Sequence, residues 1–311
     1  MVVLGVMALW ASPAAADPPS GLPAWLSAHV GDGDGQIAPT VLARARALYQ
    51  RKLGEGVVRN PCYFAMDATR PNTGPDGEPG RRFYRICEVE RTFQALPAGH
   101  GAGRRLEGVA DFANGRECAR NFGNAQDSEL TTGGAYVTAE TTSTFKGYYR
   151  AADGADVPLV RPFVQFDGEG ETANARPRAI GGHAAVTLKG LCRRHAPGDP
   201  HANRDGYVLQ GTLVDYTGGR SNGCTSWSPA DAADIVPAVT NAPTTLYIYP
   251  EATDIAAVTR GDAGAYWNAA CLREIGTPAY WSRDRLEPLI AQYWREHPAP
   301  PPRPIPICGA G

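Results

Sequence analysis

The sequence predicts a mainly β fold flanked by helical segments at both ends. From about residue 60 to 250, short runs rich in aromatic and β-branched residues are separated by glycine-rich turns, a pattern typical of strands. Long helices do not alternate with these runs, which argues against a doubly wound parallel sheet. The predicted strands cover residues 83–87, 136–138, 159–165, 184–188, 207–214 and 245–249.

Helices are predicted before, within and after the β region. Pro39 begins a helix that Gly54 ends, and Ser228 is placed to cap a second helix. Near the C-terminus, Asp284 and Glu287 have the spacing of a capping box at the start of a third helix. A proline-rich tail follows this last helix.

The first residues predict export. Residues 2–11 form a short apolar run, and Ala14 and Ala16 bracket a small-residue cleavage site, so we expect residues 1–16 to be a signal peptide. The run is far shorter than the ~20 residues that a membrane-spanning helix requires, and no later segment can span a bilayer. We therefore predict a periplasmic or secreted protein that is not an integral membrane protein.

Charge and metal-ligand patterns narrow the function classes. The formal net charge of −2 gives no electrostatic footprint for nucleic-acid binding. Asp32 and Asp34 resemble half of a calcium loop, but acids are missing from the loop's first and last positions, so a polar turn is expected. Cys192, His195 and His201 have spacings compatible with zinc, without an obvious fourth ligand. We expect neither a metal nor a cofactor.

The chain contains seven cysteines, so one is left over when six pair. Cys224 follows Gly219-Arg220-Ser221-Asn222-Gly223, a turn-forming context unlike that of the other cysteines. An odd cysteine in an exported protein is a candidate reactive thiol, and we predict that Cys224 is this thiol. The other six allow many pairings, of which Cys271 with Cys308 is the simplest.

A cysteine nucleophile needs a base and donors for the oxyanion that forms on attack. Gly223 allows a tight bend that uncovers the sulfur, and the backbone amides of Gly223 and Cys224 are the predicted donors. His183 follows two glycines and precedes an apolar run, so it is held at a strand end and is the predicted base. His100, in a glycine-rich turn, is the second candidate.

These residues resemble the catalytic domain of the murein L,D-transpeptidases, the YkuD-like family. In that family a strand ends in a histidine and a Ser-x-Gly-Cys motif follows, as His183 and residues 221–224 do here. Asn222 stands where many members have histidine, and Ala184 stands where glycine is common. Further blocks similar to the larger secreted branch lie at residues 99–103, 121–124, 131–138, 167–169, 174–180 and 243–249.

The resemblance implies a β-sandwich or barrel catalytic core with short helices over residues 59–250. Residues 17–58 would then be an N-terminal linker and helix, and 251–311 a helical C-terminal extension ending in the proline-rich tail. Cleavage near Ala16 would release this chain into the periplasm or the medium.

The resemblance also implies a reaction. Cys224 would attack the L-to-D peptide bond of a peptidoglycan tetrapeptide stem, and its thioester would pass to an amine of a second stem, to an outer-membrane lipoprotein or to water. Arg220, Ser221 and Asn222 would contact the substrate; Arg220 either holds a stem carboxylate or is a solvated turn residue. Two alternatives stay open: a non-catalytic cell-wall-binding protein, and an L,D-carboxypeptidase or amidase that uses the same Cys–His pair.

Overall fold

The computed structural model describes residues 22–309, so the predicted signal peptide lies outside the described residues. The fold is mixed α/β with more strand than helix, which confirms the mainly β prediction in this broad sense. The strands are β1 Cys62–Asp67, β2 Arg81–Cys87, β3 Thr92–Pro97, β4 His100–Gly101, β5 Arg105–Leu106, β6 Ala110–Asp111, β7 Asn121–Gly123, β8 Gly134–Arg150, β9 Asp156–Gly168, β10 Gly181–Ala184, β11 Val186–His195, β12 Tyr207–Asp215, β13 Arg220–Ser221, β14 Thr225–Trp227, β15 Thr245–Tyr249 and β16 Ala279–Trp281. The helices are α1 Ala24–Ser27, α2 Pro39–Gly54, α3 Pro229–Thr240, α4 Ala252–Arg260, α5 Ala269–Ile275 and α6 Arg283–Glu296, with a 3₁₀ turn at Gly170–Thr172.

Ten of these strands form one sheet. Its main path runs β14-β10-β9-β8-β15-β1-β2-β3, and β12 joins β11 to β8. The pairs β1–β15, β10–β14 and β8–β12 are parallel, and the other pairs along the sheet are antiparallel. Every predicted strand region contains a strand. The sequence pattern missed β1, whose six residues are all buried, because a strand covered on both faces lacks the alternation that marks a half-exposed one.

The largest core cluster packs between this sheet and α3. Trp227 is its largest fully buried side chain and meets Phe83 edge to face, with ring centroids 5.4 Å apart. A Cβ on Gly182 would lie 2.1 Å from the Trp227 ring. Glycine at this position therefore lets β10 approach β14, which places His183 close to the segment that carries Cys224.

Two of the three predicted helix starts are confirmed. The helix α2 runs from Pro39 to Gly54, and Ser228 Oγ caps α3 by accepting from the Asp231 amide at 3.0 Å. The capping box at the start of α6 is wrong, because the N-cap residue is Ser282. Glu287 instead accepts from the Gln126 amide at 3.0 Å and so ties α6 to the segment between β7 and β8.

Six cysteines form three disulfides, namely Cys62–Cys87, Cys118–Cys271 and Cys192–Cys308. The predicted Cys271–Cys308 bond is therefore wrong. The tail turns back along β11, where Cys308 N donates to Arg193 O at 3.0 Å, and this brings Cys308 to Cys192 instead. Three disulfides are consistent with an extracytoplasmic location. Separately, none of the helices within residues 22–309 combines the length and apolar character needed to cross a bilayer.

Candidate active site

Cys224 lies in a short turn between β13 and β14. Ser221 Oγ donates to the Cys224 carbonyl oxygen at 2.5 Å and accepts from the Gly223 amide at 3.2 Å, which closes the turn. Gly223 has φ = +99°, and a Cβ there would lie 2.9 Å from Leu130 O. Because L side chains rarely adopt this conformation, glycine is required for the turn that presents the cysteine.

The Cys224 thiol is the one cysteine sulfur outside a disulfide, and all seven cysteines lie within the described residues. Its Sγ contacts Ala179 O at 3.5 Å. Burial raises the pKa of the thiol above its ordinary value, while the Gly181 amide and the charges of Arg161 and Arg178 partly oppose the shift. The thiol is therefore predominantly protonated at neutral pH and needs a base to become a nucleophile.

His183 is held on β10 directly beside this turn. In the parallel pairing of β10 with β14, His183 is opposite Ser226, two residues after Cys224. Its Nδ1 lies 2.9 Å from Ala184 O. Because a carbonyl only accepts, Nδ1 carries the ring hydrogen and Nε2 has the lone pair in the neutral imidazole. Burial lowers the pKa of His183, and Arg161 and Lys146 lower it further, so the ring is neutral and able to accept a proton.

Cys224 and His183 line the same cavity, which has a volume of about 540 Å³. The predicted substrate-contacting residues Arg220, Ser221 and Asn222 line it too. Arg220 also donates through Nη1 to Asn114 O at 2.7 Å. The structure thus brings together the predicted nucleophile, base and substrate-contacting residues.

The two predicted oxyanion donors differ in their surroundings. The Gly223 amide already donates to Ser221 Oγ at 3.2 Å. The Cys224 amide has no hydrogen-bond acceptor within residues 22–309. The amide of the cysteine itself is therefore the better placed of the two to receive an oxyanion, and that role stays a prediction.

His100, the second candidate for the base, is fully buried and does not line the cavity. Its strand β4 pairs in parallel with β13, opposite Arg220. Its Nδ1 lies 3.2 Å from Arg82 Nη1. Nδ1 is equally 3.2 Å from Asn72 Oδ1, but that oxygen already accepts from Arg82 Nη2, so we assign Nδ1 as the acceptor that the buried Nη1 requires, which leaves the imidazole no lone pair for catalysis.

Sequence reasoning missed the residues that form the far walls of the cavity. These are Arg161 and Phe163 on β9, Thr187 and Lys189 on β11, Val214 on β12, and Tyr216. Lys189 and the nearby Lys146 are two of only three lysines in the chain. The scarcity of lysine could have marked these two residues as candidates for a functional site. Nothing local in the sequence, however, indicates that their strands lie beside Cys224.

A second, smaller cavity of about 150 Å³ lies on the other side of Asn222. Charges of both signs line it, including Arg104, Asp127 and Glu129. The C-terminal extension supports this wall, because Leu286 and Ile290 of α6 pack in one apolar cluster with Leu106, Phe112 and Leu130. The C-terminal extension is thus part of the framework around the nucleophile turn.

The two sequence patterns for metals are not assembled as metal sites. The carbonyl oxygens of Gly31 and Gly33 accept from the Arg70 guanidinium at 3.0 and 2.9 Å, so an arginine occupies the loop that Asp32 and Asp34 suggested for calcium. Cys192 is bonded to Cys308, which removes the thiolate that zinc would need.

No protein-family model, curated protein or solved structure matches this chain.

Proposed function

We propose that this protein is a cysteine acyltransferase of the murein L,D-transpeptidase type that acts on peptidoglycan tetrapeptide stems outside the cytoplasm. One observation carries the proposal: the unpaired Cys224 opens into the cavity that also holds His183, whose Nε2 has its lone pair. The similarity of the motifs around both residues to the YkuD-like family supplies the substrate class. A cleaved signal peptide and a periplasmic or secreted location complete the proposal.

The reaction follows from these two groups. Cys224 Sγ attacks the carbonyl carbon of the L-to-D peptide bond while its proton moves to His183 Nε2. Collapse of the tetrahedral intermediate breaks the C–N bond, and the imidazolium returns the proton to the departing amine. The acyl group is then held as a thioester. An acceptor amine or water attacks it, gives its proton to His183, and the sulfur takes that proton back.

The electrostatics favour proton transfer during attack over a preformed ion pair. Burial raises the pKa of the Cys224 thiol and lowers the pKa of the His183 imidazole. Both shifts favour the neutral forms of the two groups. The histidine therefore acts as a general base at the moment of attack, and its Nδ1–H bond to Ala184 O keeps the ring oriented.

A carbapenem tests the nucleophile, because its strained lactam acylates a reactive thiol with opening of the ring. Intact-mass spectrometry should show one adduct with the full mass of the carbapenem, and Cys224→Ser should abolish it. The variant should melt within a few degrees of the wild type, since the serine hydroxyl keeps a polar group where the thiol contacts Ala179 O, at 3.5 Å, and the Gly181 amide. An unmodified wild-type protein would favour the non-catalytic cell-wall-binding alternative.

Product analysis separates the possible acceptors. Purified tetrapeptide muropeptides should yield a crosslinked dimer if a second stem is the acceptor, whereas a shortened stem indicates hydrolysis by an L,D-carboxypeptidase. A peptide from an outer-membrane lipoprotein added to the same reaction tests the third acceptor. Cys224→Ala should abolish every product.

A further inference from the structure

The cavity beside Cys224 has an unusual charge pattern. Its lining includes three cationic side chains, Arg161, Lys189 and Arg220, and within the part of the chain that the structure describes no acidic side chain lines it. The chain as a whole carries a formal net charge of −2. Positive charge is therefore concentrated at this site against the overall balance of the protein.

Within the described part of the chain, these cations have no acidic partners. Among residues 22–309, none of the three takes part in an ion pair, although many exposed arginines elsewhere do. Arg161 donates to Val186 O at 3.2 Å and Arg220 to Asn114 O at 2.7 Å, so backbone carbonyls hold both guanidinium groups. Arg161 also hydrogen-bonds the Tyr216 side chain. A guanidinium has five N–H donors, so both arginines keep donors that these bonds do not use.

The strands depart from regular pairing where the lysines stand. The β8–β9 register shifts between Phe145 and Gly147, which makes Lys146 the extra residue of a bulge, and the β11–β12 register shifts directly after Lys189. Bulges re-aim side chains next to functional sites. Burial and the charge of Arg161 together lower the pKa of Lys146, as expected where cations gather without counter-charges.

We propose that this cavity binds free carboxylate groups of the acyl donor, with Arg161 as the main carboxylate-binding residue and Lys189 and Arg220 beside it. The inference rests on the proposed function for the identity of the donor. It adds a specificity: tetrapeptide stems with free carboxylates should be preferred over stems whose carboxylates are amidated. Arg161 is favoured because it is half-buried and held by Val186 O, whereas Lys189 and Arg220 are exposed.

The preference has a physical basis in charge and geometry. A carboxylate accepts charge-assisted hydrogen bonds from a guanidinium, whereas an amide carries no charge and brings its own N–H donors toward the cations. Loss of one such bond should weaken binding about tenfold or more. Because the attraction is between charges, salt should weaken binding of the free peptide more than binding of the amidated one.

The test measures binding without turnover. In a Cys224→Ser background, isothermal titration calorimetry compares a synthetic murein tetrapeptide that has free carboxylates with the same peptide amidated at its side-chain carboxylates. We expect the free peptide to bind about tenfold or more tightly, and Arg161→Gln to remove most of this ratio. Arg161→Lys, which keeps the charge, should retain part of it.

Two further variants complete the design. Lys189→Gln changes an exposed residue, so it reduces the ratio without risk to folding if Arg161→Gln proves unstable. Arg105→Gln is the matched control, because its side chain is 73% exposed and outside the cavity, and it should leave the ratio unchanged.

Equal affinities for the two peptides, no binding of either, or an unchanged ratio in both the Arg161 and the Lys189 variants would each overturn the inference. Failure of the proposed function looks different. In that case the carbapenem adduct and muropeptide turnover are absent in the wild type, while the binding ratio is still observed.

Discussion

The nucleophile turn is flanked by two histidine-bearing strands that look alike in sequence and differ in three dimensions. β10 carries His183 and pairs with β14, which begins directly after Cys224, whereas β4 carries His100 and pairs with β13, which ends three residues before Cys224. Both pairings are parallel, and both histidines have glycine beside them. The opposite hydrogen-bonding states of the two rings separate their roles.

His183 donates through Nδ1 to a carbonyl and keeps its Nε2 lone pair, while His100 uses its Nδ1 lone pair to accept from Arg82. Arg82 is completely buried, and burial lowers its pKa to about 10. Its second guanidinium nitrogen donates to Asn72 Oδ1. His100 and Asn72 thus neutralise no charge but supply the acceptors that a buried guanidinium requires. His183 is therefore available to a substrate in the cavity, whereas His100 stabilises a buried arginine in the interior.

Substitutions of the two histidines should differ most in their effect on the rate of acylation. His183→Ala removes the proton acceptor, and we expect the carbapenem acylation rate to fall by about 10²–10⁴-fold. Stopped-flow or timed mass spectrometry measures that rate. His297→Ala, at an exposed histidine beyond the end of α6, is the matched control and should react as the wild type does. A wild-type rate in His183→Ala would remove the base assignment.

Substitution of His100 should instead lower the free energy of unfolding. His100→Ala leaves a buried guanidinium nitrogen without its acceptor, which typically costs about 1–3 kcal/mol. We expect urea unfolding to show that loss, while the acylation rate of the folded variant changes far less than in His183→Ala. His100→Asn offers Arg82 another acceptor and should recover part of the stability. If His100→Ala keeps full stability but loses acylation, His100 and not His183 is the base.

The local parts of this site could be predicted from sequence, and the distant parts could not. Ser221, Gly223 and Cys224 form one short turn, so their residue types are sufficient to predict it. The position of His183 depends on the glycine before it. Because Gly182 leaves room for the Trp227 ring, β10 can pair with β14 and hold His183 beside the Cys224 turn.

Arg161 and Lys189 were missed because strand pairing and bulges bring them to the cavity from separate parts of the chain. The tautomer of His100 depends on Arg82, 18 residues away. The disulfide partners of Cys271 and Cys308 depend on the path of the C-terminal extension, which no local pattern encodes.

The smallest expected difference between the histidines is in the response of stability to acid. Burial lowers the pKa of both imidazoles, and that of His100 falls well below its ordinary value. Below pH ~6.5 the unfolded chain binds a proton at each histidine while the folded chain does not, so the free energy of unfolding falls as pH drops, by about 1.4 kcal/mol per pH unit for each group. For each histidine, the free energy of unfolding stops falling once the pH is below the pKa of that histidine in the folded state, because the folded chain then binds the proton as well.

Because the His100 ring is completely buried whereas His183 lines a cavity, the acid-dependent loss of stability from His100 should extend to more acidic pH than the loss from His183. Urea unfolding at a series of pH values between about 6.5 and 4 measures the slope. His183→Gln should flatten it only near the upper end, whereas His100→Gln should flatten it across the whole range. Equal slopes in the two buried-histidine variants would show that the rings are desolvated alike, and the distinction between a cavity histidine and an interior histidine would then rest on hydrogen bonding alone.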